Sequence, residues 1–291
     1  MNTPLRYRYR TQMDIAWRLV LAAVALVFAL TPVLLIMTAS LDPRDSIVSQ
    51  TVIPSNASFD NYTDLFASHI HPFRIWLWNT LKISVTTSVL SVFICSISAY
   101  AFSRFRFKGR RGLLLSVFLI QVFPNSLTMV ATFLLIQAVG LFIPGMGLNS
   151  HGGLILVYLG GAMGINTWLM KGYFDSVPRS LDESARIDGA TNWQIYWRII
   201  LPVVKPILTV VALLSFIAAY SDFLIPQIIL QDTRQFTVAV GLTLFVRNGE
   251  YSEAWGVFSA GALIGAIPIV TLYLFLQRFL VSGLTTGAVK G

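Results

Sequence analysis

Ser180-Leu181-Asp182-Glu183-Ser184-Ala185-Arg186-Ile187-Asp188-Gly189 is followed, after nine further residues, by Ile199-Ile200-Leu201-Pro202. This stretch is polar and helix-forming, and long apolar runs lie on both sides of it. Ser180-Leu181-Asp182-Glu183 has the pattern of a capping box, in which a hydroxyl and a carboxylate satisfy backbone N–H groups at a helix start. The pattern predicts a helix from about Leu181. Gly189 suits the left-handed residue that ends it. Thr191-Asn192-Trp193-Gln194 offers a second capping box that restarts the chain as another helix. Pro202 has no N–H, so this second helix is expected to stop near Leu201. The expected product is a helix-turn-helix between two membrane segments, an arrangement suited to docking on a partner.

The rest of the chain supports a membrane reading. Of its 291 residues, 55% are hydrophobic and 12% charged, where a soluble protein carries about 25% charged residues. Six apolar segments are expected to span: residues 17–39, 78–103, 112–139, 153–172, 203–230 and 254–280, each near the roughly 20 residues a bilayer core requires. The fold class is therefore all-α and polytopic. Residues 1–16 form an N-terminal extension, 17–280 the membrane domain with the loop at 174–202, and 281–291 a tail. Arg6, Arg8, Arg10 and Arg18 resemble the charged start of a signal peptide, but the apolar run after them is longer than a signal's core, which favours a retained first helix.

Net charge is +8, yet the basic residues flank apolar runs instead of forming a nucleic-acid surface. Sixteen of the 21 lysines and arginines fall on one side of the six-span layout. That side is cytoplasmic by the positive-inside rule, and it holds both termini and the 174–202 loop. Trp76 and Trp78 are expected at the outer lipid interface. Gly160-x-x-x-Gly164 and Gly261-x-x-x-Gly265 allow close helix approach, and Pro226 and Pro268 are expected kinks.

The chemistry of catalysis is sparse. No Gly-x-x-x-x-Gly-Lys-Ser/Thr loop is present, so ATP hydrolysis is expected on another polypeptide. His69, His71 and His151 lack the companions of a four-ligand metal set and read as solvent-facing loop residues. Cys95 reads as a small buried apolar side chain. Asp222 is the one acidic residue inside an expected span. It fits either a proton or cation site, as in a secondary transporter, or a cap at a helix break before Pro226.

Glu183-Ser184-Ala185, three residues, Gly189, nine residues and Ile199-Ile200-Leu201-Pro202 resemble the EAA loop of ATP-binding-cassette import permeases, with Ser184 in place of the first alanine. Trp76–Lys82, Ala99–Arg104, Gly147–Gly153, Lys171–Phe174, Phe236–Gly241 and Gly283–Gly291 narrow the resemblance to the MalG-type permeases of maltose and maltodextrin importers. Similar tails occur in permeases for trehalose, glycerol phosphate and other sugars. The resemblance implies a non-catalytic subunit in the plasma membrane of a bacterium or archaeon, working with a second and different permease, an ATPase dimer that holds ATP and Mg, and an external sugar-binding protein. It implies that Glu183, Ser184, Ala185, Gly189, Ile199, Leu201 and Pro202 couple to the ATPase. It also implies that Gly283, Gly287, Lys290 and Gly291 reach the ATPase through the tail, and that Phe245, Arg247, Asn248, Glu250 and Tyr251 contact the binding protein.

Overall fold

Long uncharged runs become helices here because a bilayer core offers no water to backbone N–H and C=O groups, and a helix satisfies them within the segment. The computed structural model describes residues 5–43, 56–121, 125–247 and 254–288, and every regular element among them is helical. The chain divides into two units, one from residues 1–68 and 242–264, the other from 69–241 and 265–291.

The first unit contains α1 (Leu5–Ser40), α2 (Asp60–Ala67), α13 (Leu244–Arg247) and the start of α14 (Trp255–Ala288). α1 begins before the expected span and continues through Pro32. Its apolar side chains between Ile15 and Met37 are largely exposed, as a lipid- or partner-facing helix requires. At its end, Ser40 Oγ lies 2.9 Å from Tyr62 Oη. Asn61 Nδ2 donates to the carbonyls of Ser40 and Asp42 at 3.1 and 3.0 Å. A Cβ at Gly256 would collide with the Asn61 side chain, so glycine is what lets α14 approach α2.

The second unit is organised around α3 (Phe73–Arg104), which packs along α6 (His151–Ser176) and α10 (Lys205–Ser221). The seam is lined by small residues of α3, among them Ser84, Thr87, Ser88 and Ser91, spaced to share one helix face. Ser88 Oγ donates to the Ala212 carbonyl of α10 at 2.7 Å. The remaining elements are α4 (Arg110–Ile120), α5 (Asn125–Phe142), α7 (Ser180–Ile187), α8 (Asn192–Ile195), α9 (Leu201–Val203), α11 (Leu224–Ile229) and α12 (Val238–Leu242).

Several expectations change. Among the described residues four helices, α1, α3, α6 and α14, are long and apolar enough to span, and the bent pair Asn192–Val203 and Lys205–Ser221 makes a fifth if counted as one. The expected third span is divided into α4 and α5, with Pro124 in the sequence between them removing a backbone donor. The expected fifth span ends at Ser221, and α11 restarts after Asp222 and Phe223. Pro226 therefore kinks nothing. It occupies the first turn of α11, where no intrahelical N–H is needed. α14 runs on to Ala288, taking in most of the expected tail.

Trp76 is also not an interfacial residue. It is fully buried, donates from Nε1 to the Thr233 carbonyl at 2.7 Å, and leaves no room for a Cβ at Gly241. Trp78 is exposed, as a lipid-facing aromatic would be.

Candidate functional site

The 174–202 stretch folds into an elbow. α7 ends at Ile187, and after Asp188 comes Gly189 with φ +80°. Gly189 N donates to the Arg186 carbonyl at 3.0 Å and Ala190 N to the Ala185 carbonyl at 2.9 Å, the paired bonds of a Schellman ending. Thr191 and Gln194 form the expected capping box at the start of α8.

The first capping box does not form. α7 begins at Ser180 itself, so this residue is already helical, and no side chain caps the helix. Asp182 turns inward instead. Pro202 also fails to stop its helix: α8 continues through a π-helical turn, Tyr196–Ile200, into α9. Leu201 N reaches back to the Tyr196 carbonyl. The widened turn relieves the clash a proline ring makes with the preceding turn. The break comes at Val204, where α10 leaves at 80°.

The elbow is anchored to α3. Arg104 Nε lies 2.7 Å from Asp182 Oδ2, with both side chains almost wholly buried at 4% and 6% exposed. The contact is a charge pair and not a linear hydrogen bond, for neither partner atom makes one of good geometry. Arg104 Nη2 also donates to the Val177 carbonyl at 3.1 Å, and Ser103 Oγ donates to Asp175 Oδ1 at 2.7 Å. Beneath these, Tyr100, Phe174, Val177, Ala185, Ile195, Tyr196 and Ile200 form one apolar cluster. Tyr196 Oη and Ser96 Oγ meet at 2.7 Å within it.

The structure sorts the residues singled out from sequence. Glu183, Ser184, Gly189 and Pro202 face outward, Ala185 is buried, and Ile199 and Leu201 pack against the cluster. Sequence reasoning missed the outward apolar side chains Ile187 (87% exposed), Trp193 and Trp197, the two tryptophan rings 5.6 Å apart. Composition alone could not single them out, because the linker also carries Ile195, Ile199, Ile200 and Leu201, which turn inward. It also missed the Arg104–Asp182 pair, which no local pattern encodes.

The other expected contact residues are described only in part. Phe245 is half-buried, and its carbonyl accepts from Ala254 N at 3.1 Å. Arg247 closes α13, while Asn248, Glu250 and Tyr251 lie outside the described residues. Gly283 and Gly287 belong to α14, and Lys290 and Gly291 lie outside the described residues.

Asp222 takes the capping role. Its Oδ1 accepts from Leu224 N at 3.0 Å, and its Oδ2 accepts from Tyr158 Oη at 3.0 Å. It also lines a cavity of about 730 Å³, open to one side, whose wall comes from α3, α5, α6, α10 and α11. The histidines are not all solvent-facing. His151 is half-buried with Nε2 2.9 Å from the Gln235 carbonyl. His71 is half-buried near Trp76, and burial holds its imidazole below the ordinary histidine range. His69 is exposed.

The elbow thus presents an exposed face while a buried ion pair fixes it to the helix core. The chain is similar to several known proteins. The family described as binding-protein-dependent transport system inner membrane component matches residues 91–286. The maltose/maltodextrin transport system permease protein MalG of Yersinia pestis is 38% identical over 284 residues, covering 94% of this chain and 92% of that protein. The galactooligosaccharides transport system permease protein GanQ of Bacillus subtilis is 40% identical over 285 residues, 98% of each. A crystal structure of a bacterial ABC transporter involved in the import of the acidic polysaccharide alginate shares the fold, with TM-score 0.79 at 24% identity, covering 92% of this chain and 96% of its own. The apolar helices and this near-full-length likeness agree, and the chain belongs to the binding-protein-dependent transport system inner membrane component family, as an inner-membrane permease subunit of an ABC importer.

Proposed function

We propose that this permease serves an importer of neutral oligosaccharides, with maltose and maltodextrins as its cargo. The observation that supports this reading most is the identity of 38–40% over almost the whole chain to permeases named for oligosaccharide systems. It forms the translocation path with a second, different permease. A dimeric ATPase binds ATP and Mg and receives the elbow: Glu183, Ser184 and the exposed Ile187, Trp193 and Trp197 meet its surface. Both termini face the cytoplasm. Phe245, Arg247, Asn248, Glu250 and Tyr251 meet an external sugar-binding protein, and the stretch from Gly283 to Gly291 gives a second contact with the ATPase.

The 40% identity to a galactooligosaccharide permease supports galactose oligomers as the second reading. Expressing the chain with its partner subunits in a transport-deficient host, and comparing uptake of labelled maltotriose with that of a labelled galactotriose, decides between them. Uptake of maltotriose alone is expected. Uptake of galactotriose alone replaces the first reading with the second, and uptake of neither sugar overturns both.

A further inference from the structure

The cavity beside Asp222 has features that capping does not use. Thr87 lines it and is 2% exposed, and its hydroxyl has no hydrogen-bond partner. A threonine within a helix ordinarily returns its hydroxyl to a carbonyl one turn back. Thr80, on the same helix, does so, donating to the Trp76 carbonyl at 2.7 Å. A buried hydroxyl left without a partner carries a desolvation cost, so an orphan on a cavity wall calls for an explanation. Across the cavity, Asn166 Nδ2 donates to Ser215 Oγ at 3.1 Å, a bond that leaves the Asn166 amide oxygen out. Both side chains are buried and both line the space. Tyr158 and Asp222 supply a third polar pair.

The volume lies within the range of small-molecule sites, and the mixture of apolar wall with a few converging polar groups is their usual composition. Asp222 is the one charged type on the wall, and no lysine or arginine accompanies it among the described lining residues. A sugar acid entering here would meet a carboxyl group with no cation to offset it. An uncharged sugar would find donors and acceptors for its hydroxyls.

We infer that this cavity is a passage site within this subunit for an uncharged sugar, held through its hydroxyls by Thr87, Asn166, Ser215 and the Tyr158–Asp222 pair. The inference rests on the sugar-importer reading and adds that this chain touches the cargo and selects against acidic sugars.

The test uses the assembled importer in proteoliposomes, with labelled maltotriose and a trisaccharide ending in glucuronic acid as probes. Uptake per ATP hydrolysed is read for wild type, Thr87→Val, Thr87→Ser and Asp222→Asn. Thr87→Val keeps the branched shape and breaks no bond within the protein, so the thermal midpoint of the complex is expected to hold. Maltotriose uptake per ATP is expected to fall roughly five- to tenfold, the worth of one lost hydrogen bond. Thr87→Ser restores it, and Asp222→Asn narrows the preference for the neutral over the acidic probe. Wild-type uptake by both Thr87→Val and Asp222→Asn overturns the inference and means that the second permease or lipid fills the space. A wild-type importer that carries the acidic probe as well as the neutral one overturns the selectivity. One that carries neither overturns the sugar reading itself.

Discussion

Arg104 at the end of α3 and Asp182 in the first turn of α7 form a buried ion pair, 2.7 Å apart, that fixes the elbow to the central helix of its unit. Removing either partner strands the other charge, which costs about 3–5 kcal/mol, whereas an apolar pair of similar volume can be nearly neutral. Asp182→Ala and Arg104→Ala are each expected to lower the thermal midpoint of the purified complex. The double change Arg104→Met with Asp182→Leu is expected to recover much of the loss. Equal midpoints for Asp182→Ala and wild type would show that the pair holds nothing.

Gly189 separates folding from docking. Its φ of +80° makes any residue with a Cβ strained by about 1–2 kcal/mol, but no atom lies within 4 Å of where that Cβ would be. Asparagine tolerates this conformation, so Gly189→Asn is expected to insert and fold, while Gly189→Arg keeps the helices and loses co-purification of the ATPase. Normal uptake and ATPase recovery by Gly189→Arg would remove the docking role.

Glu183 caps nothing in this structure, so its replacement reports on the partner. Glu183→Gln and Glu183→Ala are expected to leave the thermal midpoint unchanged and to reduce uptake alike. Trp193→Ala combined with Trp197→Ala is expected to weaken ATPase recovery further, because exposed aromatic side chains are frequent anchors of interfaces. A glutamine variant with full uptake beside an inactive alanine variant would restore capping as the role of Glu183.

Asn149 is the one non-glycine residue with positive φ among the described residues, at 54°. Its Oδ1 accepts from the backbone N–H groups of Gln231 and Asp232 at 3.0 and 2.9 Å, and its own N–H donates to the Ile229 carbonyl at 2.8 Å. Asn149→Gly relieves the backbone but orphans two donors, at about 1–3 kcal/mol where they are shielded from water. It is expected to lower the midpoint by several degrees, and Asn149→Ala by more. If Asn149→Gly equals wild type, water satisfies those donors as well as the side chain does.

Local chemistry was legible in sequence where the rule was local. Gly189 and the Thr191–Gln194 box could be read from spacing because a helix end concerns only its own neighbours. Ser180 misled because the same letters can be capping or already helical, and a distant Arg104 decided which. Trp76 misled for a similar reason: a tryptophan at an apparent membrane boundary suits lipid or a buried carbonyl equally, and only the position of Thr233 separates the two. The cavity was invisible since Thr87, Asn166, Ser215 and Asp222 come together only when α3, α6 and α10 pack.

The turn at Val204 gives the elbow leverage. α10 has 17 residues, about 25 Å at 1.5 Å per residue, so pivoting it by roughly 10° about that corner carries the end at Ser221 through about 4 Å. With the corner held rigid, a rotation that enters at the outward face of α8 reaches the place where Asp222 meets Tyr158. A looser corner would absorb that rotation at Val204 and leave the far end of α10 where it was.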